Sequence, residues 1–151
     1  MPVRPAHIMS LKFRTEALAM TTIPDKFLDL VEKKQALAHL ATIMPDGSPQ
    51  VTPVWFDYQN GRIRVNTAKG RVKARNMKEG SAVALSIVDP DNAYRYMQVR
   101  GNVVKITEDG ADAHIDALAK KYLGKDKYPW ASPDQIRVIY EIEPKTTQTM
   151  G

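Results

Sequence analysis

The chain has 151 residues, 43% hydrophobic and 26% charged, which suits one soluble globular domain and leaves too little length for two. No apolar run approaches the roughly 20 residues that span a membrane, so no membrane partner is expected. Cysteine is absent, which excludes a disulfide scaffold, a thiolate metal site and a cysteine nucleophile, and gives no reason to expect secretion.

Residues 1 to 20 are basic but have neither a long apolar core nor a small-residue cleavage site, which argues against a secretory signal and leaves a transit-like peptide as an alternative to the cytoplasmic location expected. They are expected to form an N-terminal extension, with residues 21–151 as a single domain. Pro24 and Asp25 open a short helix whose apolar positions Phe27, Leu30 and Val31 fall at i, i+3, i+4. Ala36 to Ile43 then reads as a buried strand, followed by the turn Pro45-Asp46-Gly47-Ser48. Gln50 to Tyr58 reads as a second strand. Asn60-Gly61 predicts a tight hairpin, because both central positions of a type I′ turn need positive φ. Arg62 to Thr67 alternates basic and apolar residues, the pattern of a half-exposed strand.

Arg71 to Glu79 predicts a short helix stopped by Gly80. Ala82 to Val88 is another buried strand, broken by Asp89-Pro90-Asp91-Asn92. Tyr96 to Thr107 resumes as a long strand whose interior Gly101 implies a bulge or bend. Asp109 to Leu123 predicts a helix with Ile115, Leu118, Ala119 and Tyr122 on one face and Gly124 as its stop. After a loop containing Tyr128-Pro129-Trp130, Ile136 to Glu143 alternates as a last strand. Hairpins dominate and no run of βαβ crossovers appears. The expected fold is therefore mainly β (α+β), an antiparallel barrel with flanking helices.

Charge placement says more than the net +5. Between Arg62 and Lys78 the cations Arg62, Arg64, Lys69, Arg71, Lys73, Arg75 and Lys78 stand with no Asp or Glu among them. Such a run is either a solvated face or a polyanion site. It lacks interleaved aromatics and no nucleic-acid module is visible, so no nucleic-acid partner is expected. Within the run, a strand leaves into the small-residue turn Thr67-Ala68-Lys69-Gly70 and enters a helix. Backbone N–H groups there can hold a phosphate, Thr67 can add a hydroxyl, and Lys69, Arg71 and Lys73 can supply charge-assisted bonds. The glycine spacing is not that of a P-loop. The pattern points to an anionic ligand without naming it.

The histidines His7, His39 and His114 show no metal spacing, and no metal is expected. His39 reads as a core residue of an apolar strand and His114 as a residue on the wet side of its helix. Asp109, Asp112 and Asp116 read as a solvated helix face. Trp55 is either core or substrate-facing.

Several segments carry a resemblance: Leu40-Ala41-Thr42-Ile43 with Asp46-Gly47-Ser48-Pro49, Val51-Thr52-Pro53-Val54-Trp55-Phe56, Asn66 to Asn76, and Tyr94-Arg95-Tyr96 with Val99-Arg100-Gly101. In this order and spacing, over about residues 22 to 144, the chain resembles the pyridoxamine 5′-phosphate oxidase-like superfamily of split β-barrel flavoproteins, within it the F420-dependent oxidoreductases. The resemblance implies an FMN-binding-protein-like split barrel working as a homodimer. It implies that Lys73 binds the cofactor phosphate with Lys69, Gly70 and Arg71 beside it, and that Thr67 sits near the phosphate and ribityl chain. It further implies that Val51, Thr52, Pro53 and Val54 run along the ring system, that Gln98 contacts the ring edge and that Trp55 faces the substrate. Tyr128, Trp130 or Arg137 would reach a neighbouring subunit's cofactor. The C-terminal substrate signature of true pyridoxamine phosphate oxidase is missing near residues 136–151, so vitamin B6 oxidation is not implied. The implied cofactor is coenzyme F420, whose lactyl-oligoglutamate tail would reward Arg64, Arg75 and Lys78, with FMN as the alternative. The implied activity is hydride transfer to an unsaturated or conjugated small molecule, the alternative being a non-catalytic flavin, F420 or haem carrier. No catalytic side chain is assigned.

Overall fold

Alternation along the strands decides the architecture. The computed structural model describes residues 23–151, so the predicted extension lies outside the described residues. Strand β1 (Ala38–Ile43) buries Ala38, Leu40 and Thr42 and turns His39, Ala41 and Ile43 outward. Strand β5 (Ala82–Asp89) repeats the pattern with Val83, Leu85 and Ile87 inward. An antiparallel sheet with one face on a core is built this way. With β2 (Pro49–Val54), β3 (Phe56–Gln59), β4 (Arg62–Ala68), β6 (Asn92–Thr107) and β7 (Arg137–Met150), these strands form one sheet in the order β2-β1-β5-β6-β7-β4-β3. Every neighbouring pair is antiparallel. The two edge strands, β2 and β3, are separated in the chain by Trp55 alone. One residue bridges only a few ångströms, so the ends of the sheet meet there and it curls into a split barrel.

Phe56, Leu40, Ile63, Leu85, Ile87, Met97 and Ile142 fill the barrel, with Leu30 and Val31 of α1 (Leu28–Glu32) closing one end. Arg95 ties α1 down. Its guanidinium donates to both oxygens of Asp29, at 2.7 and 3.0 Å, and to Asp89 at 2.9 Å. Asn60 and Gly61 hold the positive φ values, 54° and 76°, that the hairpin signal required. Gly101 is where β6 shifts register against β7. A Cβ there would run into the carbonyl of Glu143, so the two backbones approach as only glycine allows.

Four expectations are corrected. The single strand Gln50 to Tyr58 is broken at Trp55, because its halves pair at opposite ends of the sheet, β2 with β1 and β3 with β4. The helix expected over Arg71 to Glu79 is the five-residue α2 (Val72–Asn76), which has no fully buried residue to anchor a longer one. The last strand runs on to Met150, where the polar stretch Thr146 to Thr149 hides its pairing with β6 from a hydrophobic pattern. The two histidines exchange their expected places. His39 is exposed, since Ala38 and Leu40 take the inward positions, and His114 is buried on α3 (Ala111–Leu123) beside Ile115 and Leu118.

Candidate functional site

The end of β2, the end of β4, α2 and the start of β7 converge on a pocket of about 190 Å³. Pro53, Val54 and Trp55 form one wall, Thr67, Arg71 and Lys73 another, and Arg137 closes it with Tyr128 and Trp130. Three cations and no carboxylate line it among the described residues. Ile115, Tyr128 and Arg137 also line an adjoining pocket of about 430 Å³. The smaller space suits a phosphoryl group with part of a sugar-like chain, and the adjoining one lies within the range of small-ligand sites.

Lys73 Nζ donates to Thr52 Oγ1 at 3.3 Å, which joins α2 to β2 across the pocket. Burial, with Arg71 and Arg137 nearby, holds the Lys73 ammonium below the ordinary lysine value. Arg137 pairs with Ala68 across β7 and β4, so its side chain lies diagonally over Asn66, and its Nε donates to Asn66 Oδ1 at 2.8 Å. Its guanidinium lies 5.2 Å from the centre of the Tyr128 ring. Arg137 is 8% exposed and Thr67 2%, yet Arg137 Nη1 and Thr67 Oγ1 are buried with no hydrogen-bond partner among the described residues. Buried polar groups are normally paired, and two unpaired ones on residues lining one cationic pocket leave donor capacity unused there.

An aromatic wall continues from the pocket. Trp55 stacks on Tyr122 at 5.3 Å and 4°, Tyr128 meets Trp55 edge-on, and Trp130 meets Tyr128. The Tyr122 hydroxyl donates to the Ala36 carbonyl at 2.6 Å, and burial pushes its pKa up to about 12. Its bonds to the Ala36 and Phe56 backbone make it a structural tie between these segments.

The predicted residues separate into two sets. Thr52, Pro53, Val54, Trp55, Thr67, Arg71 and Lys73 come together at or beside the pocket. Val51 points outward at 62% exposure, Gln98 is exposed between Ser86 and Gln148 on the outer sheet face, and Gly70 caps the turn at φ 89° with open space around it. Lys69 is paired with Glu108 at 2.7 Å on the surface. Arg64, expected to meet an anionic tail, is held instead by both oxygens of Asp57 at 2.7 and 2.9 Å. α2 has only five residues and its own aligned dipole is small, so what it and its N-cap Arg71 offer an anion is their side-chain charge. Arg137, which the resemblance implies could reach a neighbouring subunit's cofactor as could Tyr128 or Trp130, lines this pocket together with both of them. No local signal marks that position, since β4 and β7 lie far apart in the chain.

The family profile of pyridoxamine 5′-phosphate oxidase matches residues 23–151. The chain belongs to the pyridoxamine 5′-phosphate oxidase family. Among solved structures, one called F420 reductase is 37% identical, superposes with a TM-score of 0.73 and matches over 83% of this chain and 98% of that one. The FAD and heme binding protein from Mycobacterium smegmatis is 17% identical with a TM-score of 0.61, over 86% and 71% of the two chains. General Stress Protein 26 from Bacillus anthracis str. Sterne is 17% identical with a TM-score of 0.56, over 83% and 92%. The last two share the fold, and at such identity nothing more is drawn from them. Membership of the pyridoxamine 5′-phosphate oxidase family accounts for the curled antiparallel sheet and its flanking helices. No helix among the described residues is long and apolar enough to cross a membrane.

Proposed function

We propose that this protein is a cytoplasmic oxidoreductase that binds coenzyme F420 in the cationic pocket and reduces an unsaturated or conjugated small molecule. The observation that carries the reading is the pair of unpartnered buried donors, Thr67 Oγ1 and Arg137 Nη1, on two residues that line the same pocket as Arg71 and Lys73. Such a donor set fits a phosphoryl group. The 37% identity to a protein called F420 reductase favours the deazaflavin over FMN. When bound, F420 would supply the hydride, so no nucleophilic side chain is required.

The chain's own residues then have separate tasks. Arg71, Lys73 and Arg137 neutralise the phosphoryl charge, and the Thr67 hydroxyl donates to one of its oxygens. Thr52 to Val54 offer backbone along the cofactor. Trp55, Tyr128 and Trp130 give a flat acceptor an apolar surface and exclude water from it. The partner subunit is proposed to be a second copy of this chain. Its seat would be the outer face of β1, β2 and β5, where Ala41, Ile43, Val51 and Ala84 form a low apolar surface.

The test is spectroscopic. Reduced F420 mixed with the protein should be oxidised when quinones, tetrapyrroles or unsaturated lactones are added, and the deazaflavin absorption should return. Retention of FMN in place of F420 would select the flavin alternative. Tight F420 binding without turnover of any acceptor would select a carrier.

A further inference from the structure

Arg137 is joined to Asn66 and, through it, to Ala111 and His114 by hydrogen bonds whose directions are fixed. A guanidinium only donates, so the amide oxygen of Asn66 must face Arg137 Nε. A carbonyl only accepts, so the Asn66 Nδ2 must face Ala111 O, 2.9 Å away. With both ends committed the amide cannot flip. The same Nδ2 lies 3.1 Å from His114 Nδ1, which must therefore be the accepting nitrogen. The ring proton then sits on Nε2, 3.2 Å from Asp57 Oδ1, a close electrostatic contact without a well-formed hydrogen bond. Asp57 is itself gripped by both nitrogens of the Arg64 fork.

The chain leads to Arg137, whose Nη1 is buried and unpartnered and which lines a pocket together with Arg71 and Lys73. We infer that Asn66, His114 and Asp57 are positioning residues that aim the free Nη1 of Arg137 at a phosphoryl anion in this pocket. The inference rests on the proposed anion site and deepens it, since it names residues on α3 and β3 that set the pose of its most buried cation.

The test compares two ligands, F420 and its deazaflavin chromophore with the ribityl chain but no phosphate. His114→Phe removes the acceptor for Asn66 at similar bulk, and His114→Asn restores one. His114→Phe is expected to weaken F420 binding about tenfold, the worth of one charge-assisted hydrogen bond, while the phosphate-free chromophore stays within about twofold. His114→Asn should recover most of the loss. Equal losses for both ligands, or an unchanged F420 affinity, would overturn the inference. Should His114→Phe fail to fold, Asp57→Asn is read in the same way. If the wild-type protein binds neither cofactor form, the cofactor reading fails, and inorganic pyrophosphate followed by calorimetry decides the relay alone. Weaker pyrophosphate binding by the variant supports it. Unchanged binding, or no binding by the wild type, rejects it.

Discussion

Lys73 carries a charge that the fold has partly withdrawn from water, close to two other cations. The attraction of an anion in the pocket would offset both penalties, so ligand binding is expected to favour the protonated amine and take up a proton where the free lysine has begun to lose it. F420 affinity is therefore expected to fall as pH rises toward the ordinary lysine value of 10.5, beginning below it. Lys73→Arg should flatten that fall, since a guanidinium keeps its proton throughout this range. Dissociation constants measured from about pH 7 to 10 check this, and parallel curves for the two proteins would contradict it.

Asp57 makes a second prediction at this scale. Burial raises its pKa, but the contacts with His114 and Arg64 outweigh burial and bring it to about 2, against 3.8 for the free group. The folded-state value is the lower one. Its stabilisation is thus present above about pH 4 and is lost as pH falls through the range down to about 2. Asp57→Asn should lose on the order of 1–2 kcal/mol at neutral pH and show a shallower decline on acidification. Denaturant unfolding across that range measures both. Single residues were unevenly legible in the sequence. Thr67, Arg71 and Lys73 stand within one short segment, so their chemistry could be read together. Asn66, His114, Asp57 and Arg137 meet only because β4 pairs with β7 and α3 packs over them. The burial of His114 did have a signal, since it shares the 3.6-residue face of Ala111, Ile115 and Leu118.

At the scale of elements, hairpin chemistry and alternation gave most of the sheet correctly, because both are local. The break at Trp55 was not local. It exists because a continuous apolar run must serve two strands at opposite ends of a curled sheet. The extension of β7 beyond Glu143 was likewise hidden, since Thr146 and Gln148 earn their place by pairing with Arg100 and Gln98 rather than by burial. Gly101 was legible as a bend, and the close approach of Glu143 explains why. Gly101→Ala is expected to cost about 1–3 kcal/mol, because the obstructing atom is a backbone carbonyl with no rotamer to yield. A lowered thermal midpoint with an unchanged cofactor preference is the expected result, and an unchanged midpoint would contradict the role given to this glycine.

For the whole molecule, the pocket opens beside Pro53 and Trp55, where the edges of the split barrel meet. The proposed second copy would cover the outer face that carries Val51 and Ala84, and would bring Gln98 of that face into an interface. Ala84→Arg places bulk and charge at its middle. Light scattering should then give the mass of one chain where the wild type gives two, with weaker cofactor binding in the monomer. A wild type that is already monomeric at working concentrations would contradict the shared site.

The claim on which the functional reading depends is that Thr67, Arg71, Lys73 and Arg137 grip a phosphoryl group. Fluorescence titration of F420 into wild-type and Lys73→Ala protein tests it most directly. Wild-type binding at about micromolar or tighter is expected, with the variant weaker by about tenfold to a hundredfold, the range for a hydrogen bond to a charged group. Equal affinities in the two proteins would show that the ligand's anion lies elsewhere.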